Sequence, residues 1–200
     1  MRPLLLLSFS ALVLVTWGAS AAAAPKANYI GVDGCTRACH KVERDGDQRS
    51  VWLKSKHAKA FNSLGSAEAK QKAAQLGVAG DPQQAEACLV CHTTGFGEPS
   101  DRFDKKFNIA DGVQCEACHG PGENYRKKAT MKKMNDERGP DRKGVSATAK
   151  EFGLIYPTDK DCKRCHVPEI DLNGKVFKNP THKDFDFKKY FDKMKHPIPS

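Results

Sequence analysis

The chain has 200 residues, eight cysteines, seven histidines and a formal net charge of +9 at pH 7. Hydrophobic residues form 39% of the chain, and roughly 35% without the apolar first 24 residues, against about 45–50% for an average domain counted with glycine. A chain of this length forms at most one or two domains. Its apolar side chains are too few to build a large core from protein alone. The chain is therefore either partly disordered or filled by something that is not protein.

Residues 1–23 predict a cleaved export signal. An arginine at position 2 precedes the apolar segment Leu4–Val15 and the small residues Gly18–Ala24, which contain A-x-A cleavage sites. An uncleaved membrane anchor is the alternative, because the same stretch is just long enough to span a bilayer, although its second half is only weakly apolar. We expect residues 24–200 to form one domain in the periplasm, without stable membrane insertion.

The eight cysteines form four pairs, and a histidine follows each pair directly. The motifs are Cys35-Thr-Arg-Ala-Cys39-His40, Cys88-Leu-Val-Cys91-His92, Cys115-Glu-Ala-Cys118-His119 and Cys162-Lys-Arg-Cys165-His166. C-x-x-C-H is the attachment motif of haem c, in which both thiols bind the porphyrin and the histidine binds the iron. Structural zinc does not need a histidine after every pair, and four redox C-x-x-C pairs in one small domain have no mechanistic logic. The sequence therefore predicts four covalently bound haem c groups.

The first motif has one extra residue between its cysteines. We favour two thioether bonds here as well, and attachment through Cys39 alone, with Cys35 free, is the alternative. Four haems confined within a radius of gyration of roughly 16 Å must be close neighbours, and they account for the thin protein core. The predicted fold is mainly α and loop-rich, a multihaem cytochrome c fold organised around four closely packed haems.

A count of histidines limits the axial ligands. The proximal ligands to the four irons are the motif histidines, His40, His92, His119 and His166. The candidates for the distal positions are the remaining three, His57, His182 and His196. At least one haem therefore lacks a second histidine from this chain. Its distal position is open or water-bound, or it is filled by a neighbouring subunit or by a methionine, namely Met131, Met134 or Met194.

The three remaining histidines differ in their surroundings. His57 lies in residues 50–64, where apolar residues at positions 53, 61 and 64 share its helical stripe, so we interpret it as a distal ligand on an inward-facing helix. His196 follows an apolar helical stripe and precedes Pro197, which predicts a distal ligand presented from a helix end. His182 lies in a polar turn with no periodic pattern, and it is only an alternative ligand.

Turn and capping signals predict the other elements in chain order. A helix opens at Ser66 and ends near Gly77, and Asp81-Pro82 caps a helix that runs into the second motif. The remaining motifs are expected at helix ends, and the segment after His92 is not helical. Residues 136–150 read as an exposed loop. No alternating strand pattern exceeds a few residues.

Lysines are concentrated in two stretches, Arg126–Lys133 and Lys183–Lys195. A solvated face is the ordinary interpretation, and docking to an acidic redox protein is the functional one. Nucleic acid is not a sensible partner for an exported haem protein.

The motifs together resemble the tetrahaem cytochrome c-554 family. The similar stretches are Trp52 with His57-Ala-Lys-Ala60, Cys88–Gly97 with its Cys-His-x-x-Gly-Phe-Gly, Gly112–Arg126, Cys162–His166 and the helix ending at His196. The resemblance implies stacked haem pairs, an electron-shuttling role, three haems with two histidine ligands and one five-coordinate haem. It also implies that His57 and His196 are distal ligands.

Two departures from the family pattern stand out. The first motif has one extra residue between its cysteines, and the loop from it to Trp52 is longer than in the family. The family's third distal histidine lies shortly after Gly-Pro-Gly, where this chain has residues 126–131 without a histidine. Either His182 or a methionine substitutes, or a second haem is open.

The leading hypothesis is electron transfer between periplasmic redox proteins by haem-to-haem hopping, with no catalytic residue. One alternative is a reductase of nitric oxide, nitrite or hydroxylamine at a five-coordinate haem. The other is a homo-oligomeric haem wire in which a neighbouring subunit donates the missing ligand.

Overall fold

The computed structural model describes residues 26–37, 40–140 and 144–196. The predicted signal peptide, Cys39 and Pro197 lie outside these ranges. Ten short α-helices are present in the described residues: α1 Gly31–Thr36, α2 Gln48–Lys54, α3 Ala60–Ser63, α4 Ala67–Gln75, α5 Glu86–His92, α6 Cys115–His119, α7 Lys128–Glu137, α8 Ala147–Phe152, α9 Asp159–Cys162 and α10 Phe187–Met194. Single 3-10 turns occupy Glu43–Asp45, His57–Lys59, Ser100–Arg102 and Ile109–Asp111. The mainly helical, loop-rich prediction is confirmed. None of the described helices is long and apolar enough to cross a membrane.

One antiparallel hairpin lies between α9 and α10, and the sequence analysis missed it. Strand β1, Glu169–Leu172, pairs with β2, Lys175–Lys178, with Ile170 opposite Phe177. Asn173-Gly174 connects the strands, and this dipeptide is a strong hairpin signal. Strand β1 alternates polar and apolar residues over only four positions, and β2 does not alternate, so the pattern is too short to identify a strand.

The predicted continuous helix over residues 50–64 is wrong. Helix α2 ends before Ser55, whose backbone is extended at φ −78° and ψ 162°. The Ser55 hydroxyl then accepts a hydrogen bond from the N–H of Ala58 at 3.4 Å and opens the turn that carries His57. Serine competes for backbone hydrogen bonds in this way and so favours helix ends. Leu53 is consequently not part of the inward stripe, since it is 44% exposed.

Two predicted boundaries also fail, whereas α4 opens after Ser66 as predicted. Asp81 does not cap a helix, because its carboxylate and carbonyl accept hydrogen bonds from Gln83 and Gln84 in a local turn, and α5 begins only at Glu86. Residues 136–150 are not simply an exposed loop. Helix α7 continues to Glu137, whose carboxylate accepts hydrogen bonds from the N–H and hydroxyl of Thr148 at 2.9 and 2.5 Å. These bonds hold α8 against α7.

The protein core is small and discontinuous. The structure describes eight well-buried hydrophobic residues: Ile30, Val32, Leu64, Ala73, Tyr125, Met134, Ala149 and Phe177. Three of them, Tyr125, Met134 and Ala149, form a cluster between α7 and α8, and Met131 packs against it. The haem motifs are arranged around this thin framework.

Candidate functional site

Two of the four histidines predicted as proximal ligands end short helices, whereas His40 and His166 each lie four residues beyond the last residue of one. His92 ends α5 and His119 ends α6. The Nδ1 of His92 is 2.8 Å from the carbonyl of Ala60, and the Nδ1 of His119 is 2.9 Å from the carbonyl of Ile155. Because a carbonyl can only accept, each Nδ1 is the donor, which leaves Nε2 as the nitrogen that can bind iron. A metal-binding histidine usually donates its other ring N–H to such an acceptor.

Two pairs of imidazoles face each other. The ring centres of His57 and His166 are 6.1 Å apart, and those of His119 and His196 are 5.9 Å apart. Imidazole nitrogens bind transition metals at about 2 Å and the ring centre lies about 1 Å beyond, so two imidazoles on opposite sides of one iron are about 6 Å apart. Both separations match that value. Burial lowers the pKa of His57 and His119, which favours the neutral form that binds metals.

The other three histidines form no such ring pair in the described structure. The carbonyl of His40 accepts a hydrogen bond from the N–H of Arg49 at 2.9 Å. The ring of His92 is held by Ala60 as above. His182 lies near His166, because its charge contributes, after burial, to lowering the pKa of His166. His182 therefore lies beside His166, whose ring is already paired with that of His57.

Thiols from different motifs lie side by side. Cys35 and Cys115 share a side-chain hydrogen bond, as do Cys91 and Cys165, and Arg164 of the fourth motif donates to the carbonyl of Ala117 in the third at 2.6 Å. None of the seven described cysteines is in a disulfide. These neighbours give the spatial order first motif, third motif, fourth motif and second motif. The order differs from the order in the chain and could not be read from spacing.

The turn that carries His57 is held from one side by residues 112–114. The N–H of Val113 donates to the carbonyl of His57 at 3.1 Å, and the carbonyl of Val113 accepts from the indole of Trp52 at 2.8 Å. Gly112 has φ 70° and ψ −131°, and a Cβ here would lie 2.8 Å from the carbonyl oxygen of His57. Only glycine permits this approach. The sequence analysis missed its role, because an isolated glycine carries no sign of what lies beside it.

A buried carboxylate connects the first and third motifs. Glu116, inside the third motif, is 2% exposed and accepts hydrogen bonds from the N–H groups of Ile30, Gly31 and Gly122 at 2.7–3.1 Å. Burial raises the pKa of Glu116, and these bonds oppose the rise. The residue ties the segment before Cys35 to α6. Sequence reasoning missed it because its bonded N–H groups belong to residues 30, 31 and 122, which only the fold brings together around it.

The donor set fits haem c. The described cysteines form no disulfides, and burial raises the pKa of Cys118 to about 11, which disfavours the thiolate that a bare metal ion would bind. The part of the chain that the structure describes contains no group of three or more His, Cys, Asp and Glu side chains suited to a bare metal ion. The described motif cysteines and histidines would hold haem by thioether bonds and axial ligation.

Three comparisons with known proteins agree with this chemistry. A family model described as "Cytochrome c554 and c-prime" matches residues 35–120. Cytochrome c-554 from Nitrosomonas europaea is 34% identical over 166 residues, a region that covers 79% of this chain and 65% of that relative. The solved structure of reduced cytochrome c554 from the same organism matches with a TM-score of 0.53 and 29% identity, covering 84% of this chain and 82% of that one. This protein carries four covalently attached haem c groups, and its sequence and fold are similar to those of cytochrome c-554, of which it spans 65%.

Proposed function

We propose that this protein is a periplasmic electron carrier that exchanges electrons with redox proteins through its four haems. Haem c iron accepts or releases one electron as it changes between Fe(III) and Fe(II), and its axial ligands tune the potential. The chain's own part is to place and ligate the irons. The observation that carries the proposal is the pair of imidazole separations of 6.1 and 5.9 Å.

The separations support a specific ligand assignment. His57 and His166 bind one iron, and His196 and His119 bind another. His40 and His92 are proximal ligands of irons that no second histidine of this chain caps. Met131 and Met134 pack in or against the cluster around Tyr125 and Ala149, so they have an established packing role instead.

The contacts between motifs support a linear order of the four haems, from the first motif through the third and fourth to the second. In this order the two irons without a second histidine are at the ends, and the two with histidine pairs are in the middle. Such a series joins all four irons in one path for electrons, which suits a carrier.

The test is electron paramagnetic resonance of the oxidised protein, after mass spectrometry has verified four haems. We expect two high-spin haems per chain. His57→Ala and His196→Ala should each add a third, whereas the matched control His182→Ala should leave two. An unchanged spectrum for His57→Ala, or a single high-spin haem in the unsubstituted protein, would contradict the assignment.

A second experiment tests carriage itself and the location. The reduced protein should be oxidised by an added one-electron acceptor without consuming nitric oxide, nitrite or hydroxylamine. Sustained turnover of one of these compounds would show that the protein is a reductase and not a carrier.

We also expect the purified protein to begin near residue 24. Mass spectrometry of its N-terminal peptide measures this, and retention of residues 1–23 would contradict export by cleavage.

A further inference from the structure

A stack of aromatic rings leads from the fourth motif to α10. The ring of Phe185 lies 4.6 Å from that of His166, with 19° between the planes. Tyr190 of α10 in turn stacks on Phe185 at 5.4 Å and 10°. Tyr190 is 40% exposed. The ring of His166 is itself exposed, and Phe185 and Tyr190 extend it as a stack across the surface to α10. None of the haem-binding roles above requires this arrangement.

Two lysines flank the outer end of the stack. The Nζ atoms of Lys189 and Lys193 lie 5.7 and 5.6 Å from the centre of the Tyr190 ring. The nearby carboxylates are engaged within the chain, since Asp186 accepts from the N–H of Lys189 at 3.0 Å and Asp192 bonds Lys195 at 2.9 Å. Residues 183–195 contain five lysines and three aspartates, a net charge of +2. The exposed ring of Tyr190 is thus flanked by two lysine ammonium groups, in a segment of net positive charge.

We propose that Lys189, Tyr190 and Lys193, here called the Tyr190 surface, dock the acidic face of a redox protein and are the place where an electron crosses. The inference rests on the proposed function. One electron passes between the partner's cofactor and the iron bound by His166, so that one centre is oxidised and the other reduced, and no bond or proton is exchanged. An acidic protein complements the lysine charges, which accelerates its encounter with this surface.

The ring stack favours a redox protein over a lipid surface as the occupant. A membrane would use the charge and the apolar residues of α10, but it has no use for rings aligned towards His166. Two of those apolar residues, Phe187 and Phe191, already stack on each other at 5.0 Å. The rings form a continuous aromatic stack between a partner docked at Tyr190 and His166, which benefits only a partner that exchanges electrons.

The test measures reduction of the oxidised holoprotein by a reduced acidic [2Fe–2S] ferredoxin in stopped flow. Lys189→Glu with Lys193→Glu should lower the second-order rate constant about tenfold at low ionic strength, and salt should reduce the difference because it screens exposed charges beyond about 10 Å. The matched control reverses Lys70 and Lys72 on α4, both exposed and with the same change in net charge. Equal slowing by both double variants would overturn the proposal.

Substitutions of the ring test the stack separately from the charge. Tyr190→Leu keeps both lysines and should lower the limiting rate of electron transfer, whereas Tyr190→Phe keeps the ring and should restore it. Equal rates for the two variants would refute a role for the ring. Sedimentation with phosphatidylglycerol vesicles tests the other occupant, and binding that is lost in the lysine variants would assign the surface to a membrane.

Failure of this inference is distinguishable from failure of the proposed function. If ferredoxin reduces every variant equally fast, the protein remains a carrier and electrons enter elsewhere. If the unsubstituted protein accepts no electrons from ferredoxin or any other one-electron donor, the carrier function itself is wrong.

Discussion

Replacement of Gly112 by alanine tests whether backbone contact positions His57. An alanine Cβ would lie 2.8 Å from the carbonyl oxygen of His57 and 3.2 Å from the amide nitrogen of Phe61. Both atoms belong to the backbone, so they cannot rotate away as a side chain would. We therefore expect the turn that carries His57 to move when Gly112 is replaced.

The expected cost has two parts. A residue with a side chain at φ 70° and ψ −131° pays about 1–3 kcal/mol in backbone strain, and overpacking adds about 1–3 kcal/mol. Gly112→Ala should therefore lower the free energy of unfolding by about 2–6 kcal/mol. Gly77→Ala is the matched control, because Gly77 has φ 68° but a Cβ there meets nothing within 4 Å. Its cost should be only the left-handed penalty of about 1–2 kcal/mol.

Guanidinium denaturation followed at the haem absorbance band measures both costs, and the resonance spectrum measures the ligand. Gly112→Ala should gain high-spin signal as His57 withdraws, and Gly77→Ala should not. If the two variants lose equal stability within about 0.5 kcal/mol, or if neither changes the spin state, contact between Gly112 and the His57 turn does not position the ligand.

Three further outcomes follow from other contacts. Glu116→Ala leaves three buried N–H groups without their acceptor, so it should lower the free energy of unfolding by at least about 3 kcal/mol in chemical denaturation. The control Glu151→Ala, at an exposed position, should change this free energy by less than about 0.5 kcal/mol. Hydrogen bonds from α8 lower the pKa of Glu137 from 4.5 to about 2, so its contribution is full above pH 4.5 and lost as the pH falls through about 2. The stability difference between wild type and Glu137→Gln should shrink over that window in denaturation curves, and a constant difference would contradict this. Trp52→Phe removes the hydrogen bond to the carbonyl of Val113 and should lower the free energy of unfolding by about 1 kcal/mol in the same assay. Unchanged stability would indicate that water replaces the indole as the donor.

Local signals in the sequence predicted well the features that depend on neighbouring residues. The histidine after each cysteine pair identified haem c, and Ser66 marked the start of α4. The same kind of reasoning failed at Ser55 and at Asp81, where a short polar side chain bonds its own backbone and ends or delays a helix. The periodicity of apolar residues does not reveal such a bond, because the bond leaves their spacing unchanged.

The candidate site also contains some features that the local sequence predicts and others that only the fold reveals. His57 and His196 stood out by their apolar surroundings, and the structure brings their rings opposite His166 and His119. Which ring faces which could not be predicted, since the residues of each pair are 109 and 77 positions apart in the chain. Glu116 also escaped notice, because its three bonded N–H groups come from two segments that only the fold brings together.

The sequence alone determined the cofactor, the number of attachment motifs and the shortage of axial histidines, because covalent attachment and ligation depend on residue type and short spacing. Only the tertiary structure decided the order of the motifs in space, the pairing of imidazoles and the ring stack that ends at Tyr190. These features depend on contacts between distant segments, and so few apolar side chains leave no periodic pattern from which such contacts could be inferred.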